Sequence, residues 1–222
     1  MQLSDMQALC SQRLNEAAAP VFYPDDEITR ALNEADRTFC LLTLALETTA
    51  AFTPTATFTH MLGPFPDWLV PLRIATFGGA KVRPCRFNDL WGLDSNWPAA
   101  SGPTTRYVAA GGDLVAVYPF QSATLNVTYA RAPVAMVNAT DTPATPAEYH
   151  TNYVDYAVYR LRQVEGGAVL AGVIPLFDEF MAAAKEYAAY MRARNVGAGY
   201  DTLPAEFALA DRSKRAVTAV TA

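Results

Sequence analysis

DDEITRALNEADRTFCLLTLALETTAAFTPTATFTH, residues 25–60, changes its period halfway along. Ile28, Leu32, Ala35, Phe39, Leu42 and Leu46 recur at helical spacing, so one face of a helix is apolar. Pro24 separates this helix from what precedes it. Asp25 and Asp26 offer N-cap oxygens, and Glu27 adds negative charge where a helix start favours it. From Thr48 the helical period is gone. Phe52, Ala56 and Phe58 sit among threonines, which suits β structure. A strong amphipathic helix running into alternating segments predicts an α+β chain.

Upstream, Leu3, Met6, Leu9, Arg13, Leu14 and Ala17 follow helical spacing, with the Arg13 stem able to lie along the apolar face. Pro20 and Pro24 end that helix. Downstream, Leu69, Pro71, Arg73, Ala75 and Phe77 alternate on one face of a strand, and Gly78-Gly79 turns it into KVRPCR. RYVAAGGDLVAVYP is the clearest hairpin, with Gly111-Gly112 supplying a tight turn. Leu125, Val127 and Tyr129 alternate in a further strand. FNDLWGLDSNWPAASGP reads as a looping segment between them. TDTPATPAEYH then marks a linker and helix start. Tyr149, Tyr153, Tyr156 and Arg160 continue a helix to about Glu165, Gly166-Gly167 breaks it, and Phe177, Phe180, Met181, Ala184, Tyr187, Ala188 and Met191 carry another.

The expected organisation is a helical bundle from an N-terminal and a C-terminal helix pair (residues 1–47 and 143–196), an inserted antiparallel β domain (48–132) and an extended arm (197–222). The arm's large apolar anchors are Tyr200, Leu203, Phe207 and Leu209. Such spacing buries too little to offset the entropy of ordering, so the arm is expected to order only against a partner. Arg212, Lys214 and Arg215 give it a basic end.

Half of the 222 residues are apolar, enough for a sizeable core without disulfides or metal. A net charge of −5 argues against a general nucleic-acid binder. Cys10, Cys40 and Cys85 form no CxxC unit and read as buried thiols. The start, MQLSDMQALC, lacks the basic and apolar regions of a secretory signal. No stretch reaches the ~20 apolar residues that cross a bilayer; the run from Ala168 to Ile174 stops at Pro175. The reading is a cytoplasmic site of synthesis and no membrane partner. No internal repeat is visible.

Catalytic patterns are missing. His60 and His150 have no ligand-spaced companions and read as surface or interface histidines. There is no GxSxG elbow, no phosphate loop and no protease-type cysteine context. Asp25, Asp26 and Glu27 read as a helix start rather than a metal cluster. Asp89 and Asp94 beside Trp91 suggest either sugar binding or a loop packed under its own aromatics. Tyr149, Tyr153, Tyr156 and Tyr159 crowd one helix, while Tyr187 and Tyr190 lie on the next. They suit half-wet subunit contacts or a helix-pair core equally well.

The order of these features resembles the head-to-tail adaptor (connector, or gatekeeper) proteins of tailed bacteriophages. FYPDDEITRALNEADRTFCLLT resembles the family's second helix, and GPFPDWLVPLRIATFGGAKVRPCRFNDL its strand–turn–"v-R-p" stretch. LWGLDSNWPAASGPTTRYVAAGGDLVAVYPFQSATLNVTYARAPV looks like its "P-x-W … Y … L-x-l-x-P … l-x-v-x-Y-x-r-x-P" pattern, except that Trp97 precedes Pro98 here. EYHTNYVDYAVYRLRQVEGGAVLAGVIPLFDEFMAA is similar to its closing helices. The resemblance spans about residues 20 to 195.

The resemblance implies a structural virion protein of the head-tail junction, assembled in the host cytoplasm and without enzymatic activity. It implies a homo-oligomeric ring, commonly a dodecamer, that binds the portal protein, extends the DNA channel and docks downstream tail or nozzle proteins. Passing DNA is met without sequence-specific contact, and no cofactor is implied. Candidate subunit-interface residues are Trp91, Trp97, Tyr149, Tyr153 and Tyr156. Candidate portal-binding residues on the arm are Tyr200, Leu203, Phe207, Arg212, Lys214 and Arg215. The acidic surplus of the N-terminal helices, including Asp25, Asp26, Glu27, Glu34 and Asp36, is a candidate lining for the channel. Competing readings are another neck or tail completion protein, and a carbohydrate-binding module or glycosidase at the Trp91–Trp97 loop. The last needs exposed, coplanar aromatics and paired carboxylates.

Overall fold

A computed structural model describes residues 1–15, 22–77, 80–110, 113–163 and 167–197, with side chains described except at 70–77, 110, 167–170 and 195–197. The protein is a mixed α+β chain of two compact units, Met1–Ala45 with the chain from Pro133 onward, and Leu46–Ala132.

In the first unit, α1 (Leu3–Leu14) ends where Asn15 takes a left-handed conformation that asparagine tolerates. Ala17 and Pro20, which the sequence reading included, lie outside the described residues. Helix α2 (Asp25–Thr43) has Pro24 as its N-cap. Asp25, Asp26 and Glu27 therefore sit inside the first turn rather than at the cap, where their charge still meets the positive end of the helix. The backbone turns out of α2 through Leu44, left-handed at φ 55° and buried.

Helices α4 (His150–Arg162) and α5 (Gly167–Gly197) complete this unit. Gly166 lies outside the described residues. Pro175 does not stop α5, as its place after the apolar run suggested; it lies inside the helix. The carbonyl four residues back, on Ala171, loses its donor, but Ala171 is exposed to water.

Helix α4 packs against α1, α2 and α5. The shared core draws Met6 and Cys10 from α1, Ile28, Leu32 and Phe39 from α2, Val154 and Leu161 from α4, and Phe180 from α5. Phe39 is a hub, with ring centroids 5.3 Å from Tyr149, 5.3 Å from Tyr153 and 6.0 Å from Phe180. The segment after Pro133 is tied down by Asn33, whose Nδ2 donates to Met136 O at 3.0 Å and whose Oδ1 accepts from Met136 N at 2.8 Å. That bidentate clamp seats Met136 in the core.

The second unit holds two four-stranded sheets. The first runs β1 (Glu47–Phe52), β8 (Leu125–Arg131), β3 (Trp68–Phe77), β4 (Ala80–Lys81). The second runs β2 (Phe58–His60), β7 (Leu114–Tyr118), β6 (Arg106–Ala110), β5 (Arg83–Pro84). All pairs are antiparallel except the two-residue β5–β6 pair, which is parallel and departs from the wholly antiparallel expectation. The two sheets share one core, in which Phe52, Leu125, Val127 and Tyr129 meet Tyr107, Val115 and Val117.

Leu125, Val127 and Tyr129 of β8 share the inter-sheet core, as their spacing predicts, while the pairing of β3 with β8 carries three register shifts. The glycine pairs 78–79 and 111–112 lie outside the described residues, although their flanks pair as hairpins, Phe77 with Ala80 and Ala110 with Leu114. The stretch read as a loop contains α3 (Phe87–Leu93) and a 3-10 turn at Trp97–Ala99. Asp89 Oδ2 accepts from the Arg86 backbone N–H at 3.0 Å, which starts this short helix.

Candidate subunit-contact residues

Strand β7 is apolar on both faces. Val115 and Val117 point into the inter-sheet core, while Ala116 meets Val108, Leu90 and Trp97 on the other side. Trp97 is sealed at 2% exposure, with Phe58, Phe87 and Trp91 around it at centroid distances of 5.4, 5.8 and 6.1 Å. Among the described residues its indole N–H has no hydrogen-bond partner. Trp91 lies edge-on to Trp97 and is 54% exposed, as is Leu93; Phe58 is 40% exposed. The two tryptophans named as a pair from sequence thus divide, Trp97 into the core of its unit and Trp91 to its surface.

This geometry bears on the sugar-binding reading. The two indoles cross at 85° and one of them is buried, so they form no flat platform for a sugar ring. Asp89 is engaged by the start of α3. Asp94 accepts from Asn96 N at 2.8 Å and from the Tyr118 hydroxyl at 3.4 Å. Both carboxylates hold their own loop.

The tyrosines of α4 divide in the same way. Tyr153 is fully buried, Tyr156 nearly so, and Tyr149 half-buried. The Thr145 and Tyr153 hydroxyls are hydrogen-bonded to each other, beside the Asp36 carboxylate. Tyr156 donates to Glu34 Oε1 at 2.9 Å, and Arg160 Nε reaches the same oxygen at 3.2 Å. Tyr190 on α5 is the exposed member of the set, stacked on Tyr187 at 5.8 Å. Tyr200, Leu203, Phe207, Arg212, Lys214 and Arg215 lie outside the described residues.

Two residues expected at the surface are interior. Asp36, grouped with the exposed acids of α2, is 1% exposed and cannot line a channel from there. Burial pushes its carboxyl up to about 6, against the opposing effect of donors on Tyr153 and Cys40. His150 is buried as well. Its Nε2 donates to Thr145 O at 2.9 Å, and Nδ1 lies 2.9 Å from the Met1 amino nitrogen. Burial holds this imidazole below its usual range. A helical period places a residue on a face but does not say which face another helix covers. His60 stays exposed beside Asp113 at 3.1 Å.

Asp155, buried on α4, is ion-paired with Arg13 of α1. Burial raises its carboxyl, and the guanidinium lowers it. Cys10, Cys40 and Cys85 are free thiols; burial pushes Cys10 up to about 12, far from a reactive thiolate. Among the described residues no group of His, Cys, Asp and Glu is placed to hold a metal, and no helix is long and apolar enough to cross a membrane.

The sequence reading missed an acidic groove of about 660 Å³ beside α5, lined by Glu148, Tyr149, Asn152, Glu179 and Glu186. The spacing of Glu179, Ala182, Ala183 and Glu186 carried the signal, one helix face with acids at both ends.

No curated protein matches this chain. The family model described as SU10 adaptor protein matches residues 1–210, a span that takes in both units. The chain belongs to the SU10 adaptor protein family.

Proposed function

We propose that this chain is a head-to-tail adaptor of a tailed phage, a structural and non-catalytic subunit that forms a ring at the head-tail junction of the virion. The observation that carries the reading is the family match over residues 1–210. In the proposed assembly the subunits form a dodecameric ring beneath the portal, extend the DNA channel and dock tail or nozzle proteins. Helices α1, α2, α4 and α5 act as a bundle that stiffens each subunit.

Two features support a contact-making subunit. Phe58 and Trp91, both packed on the buried Trp97, leave large apolar groups at the surface of one unit, which also exposes Leu93. Contiguous exposed apolar groups mark contact surfaces. Of the named aromatics, Trp91 and the half-buried Tyr149 are the ones proposed to touch a neighbour; Trp97, Tyr153 and Tyr156 support the contact from beneath. Asp25 and Asp26 remain exposed on α2 and suit a lining that repels passing DNA. The arm residues named from sequence are proposed to reach the portal.

Negative-stain imaging of the purified protein, alone and with its portal, tests this reading. Rings coaxial with the portal are expected. A protein that stays monomeric and leaves the portal bare overturns it.

A further inference from the structure

Strand β5 places two arginines side by side. Arg83 and Arg106 are register partners in the parallel β5–β6 pair, so their side chains leave the same face of the sheet. Strands lie about 4.8 Å apart, and like charges so placed repel. Arg86 follows at the start of α3. Arg83 and Arg86 are exposed and Arg106 is half-buried. Among the described residues none of these three arginines forms an ion pair. The acid of the same segment, Asp89, is bonded to the Arg86 backbone N–H. β5 is the outer strand of its sheet, and Pro84 removes a backbone donor from it. This edge is therefore suited to attract by charge rather than to add a strand.

A complementary surface exists on the same chain. Glu179 and Glu186 lie seven residues apart on one face of α5, and Glu148 stands opposite in the groove they share with Tyr149. All three glutamates are exposed, and among the described residues none is ion-paired. The Tyr149 hydroxyl is pushed up first by burial and then by Glu186 and Glu148, so negative potential gathers there. A guanidinium suits such a groove, because it forks onto carboxylates and stacks on an aromatic ring.

We propose that the β5 edge of one copy seats its arginines in the Glu148–Glu179–Glu186 groove of the next copy. The inference rests on the ring reading above and names the contact that builds the ring. The occupant is a second copy because the chain is acidic as a whole, at −5, and supplies both halves of the match. The two surfaces differ, so the contact is heterologous: each subunit gives an edge and receives one, and the series closes on rotation.

Two reversed variants test the pairing, Arg83→Glu/Arg86→Glu and Glu179→Arg/Glu186→Arg. All four positions are exposed, and circular dichroism checks that each variant folds. Each variant alone is expected to assemble at least about tenfold more weakly in analytical ultracentrifugation. Their equimolar mixture is expected to assemble, because each supplies the face that the other now matches. Wild-type assembly is expected to weaken about tenfold between low and high salt, which tests the pairing even if a variant misfolds.

Variants that each assemble like wild type overturn the pairing, and so does a mixture that stays apart. An edge variant that assembles normally but is no longer retained on duplex DNA assigns the edge to nucleic acid instead. A wild-type protein that never self-associates, with portal or without, overturns the ring reading together with this contact. Wild-type rings that survive both reversals overturn this contact alone.

Discussion

The hydroxyl of Tyr153 lies beside the carboxylate of Asp36 inside the helical core, where both residues are all but closed to solvent. Tyr153 is held in turn by the Thr145 hydroxyl, and Cys40 Sγ approaches the same carboxylate at 3.7 Å. Asp36 thus accepts from the Cys40 thiol, but its neighbours in this cluster carry no positive charge. Hydrogen bonds offset part of the cost of burying its charge, and the rest appears as a raised pKa.

Stability should therefore depend on pH through Asp36. Its folded-state pKa, about 6, lies above the ordinary 3.8. The proton that folding retains contributes stability that is fully present below about pH 4 and lost as pH rises through 6. At about 1.4 kcal/mol per unit the total is ~3 kcal/mol. Asp36→Asn should remove this slope and gain on the wild type at pH 8 relative to pH 4.5. Urea denaturation at the two pH values measures the difference, and equal slopes in the two proteins would refute the assignment.

The buried aromatics should behave as core and Trp91 should not. Tyr153→Ala and Trp97→Ala each empty a sealed site and should cost about 3–5 kcal/mol. Trp91→Ala should cost less than about 1 kcal/mol, because the ring is exposed and meets Trp97 only by its edge. Thermal melts of the three variants give the ranking. In a ring-assembly assay Trp91→Ala should weaken incorporation while its melt stays close to wild type.

Removing Arg13 should strand a buried charge. Asp155 is buried while the Arg13 side chain is 33% exposed. Arg13→Met should cost about 2 kcal/mol at neutral pH, below the value for a fully buried pair because water reaches the arginine. Adding Asp155→Asn should recover most of the loss, and a double-mutant cycle by urea denaturation reads it directly.

Deleting residues 198–222 removes none of the described core and should leave a folded, soluble protein that binds portal rings poorly. Co-sedimentation of the full-length and shortened chains with portal rings, at low and high salt, tests this. Equal binding would show the arm to be dispensable, and an insoluble product would place it in the core.

Much of the architecture was legible from residue order. The stripe from Ile28 to Phe39 marks α2, the loss of helical period near Thr48 meets the start of β1 at Glu47, and the segments around Gly111-Gly112 pair as read. Such features are local: backbone sterics and a one-sided apolar pattern act over a few residues, whatever the chain does elsewhere. Proline and short helices were less legible. Pro175 passes inside α5 and Phe87–Leu93 forms a helix, because water and a single capping carboxylate relieve costs that propensity alone would count against them.

By itself the sequence determined the α+β class, the positions of the main helices and hairpins, and the adaptor resemblance, since these depend on period and order. Only the tertiary structure decided which member of each aromatic pair is buried, with Trp97 and Tyr153 inside and Trp91 outside. It alone moved Asp36 and His150 from an expected surface into the core, and it set Arg83 beside Arg106 across β5 and β6. Those outcomes depend on which element covers which face and in what register. Packing between residues distant in sequence fixes both, and neighbouring residues along the chain do not encode them.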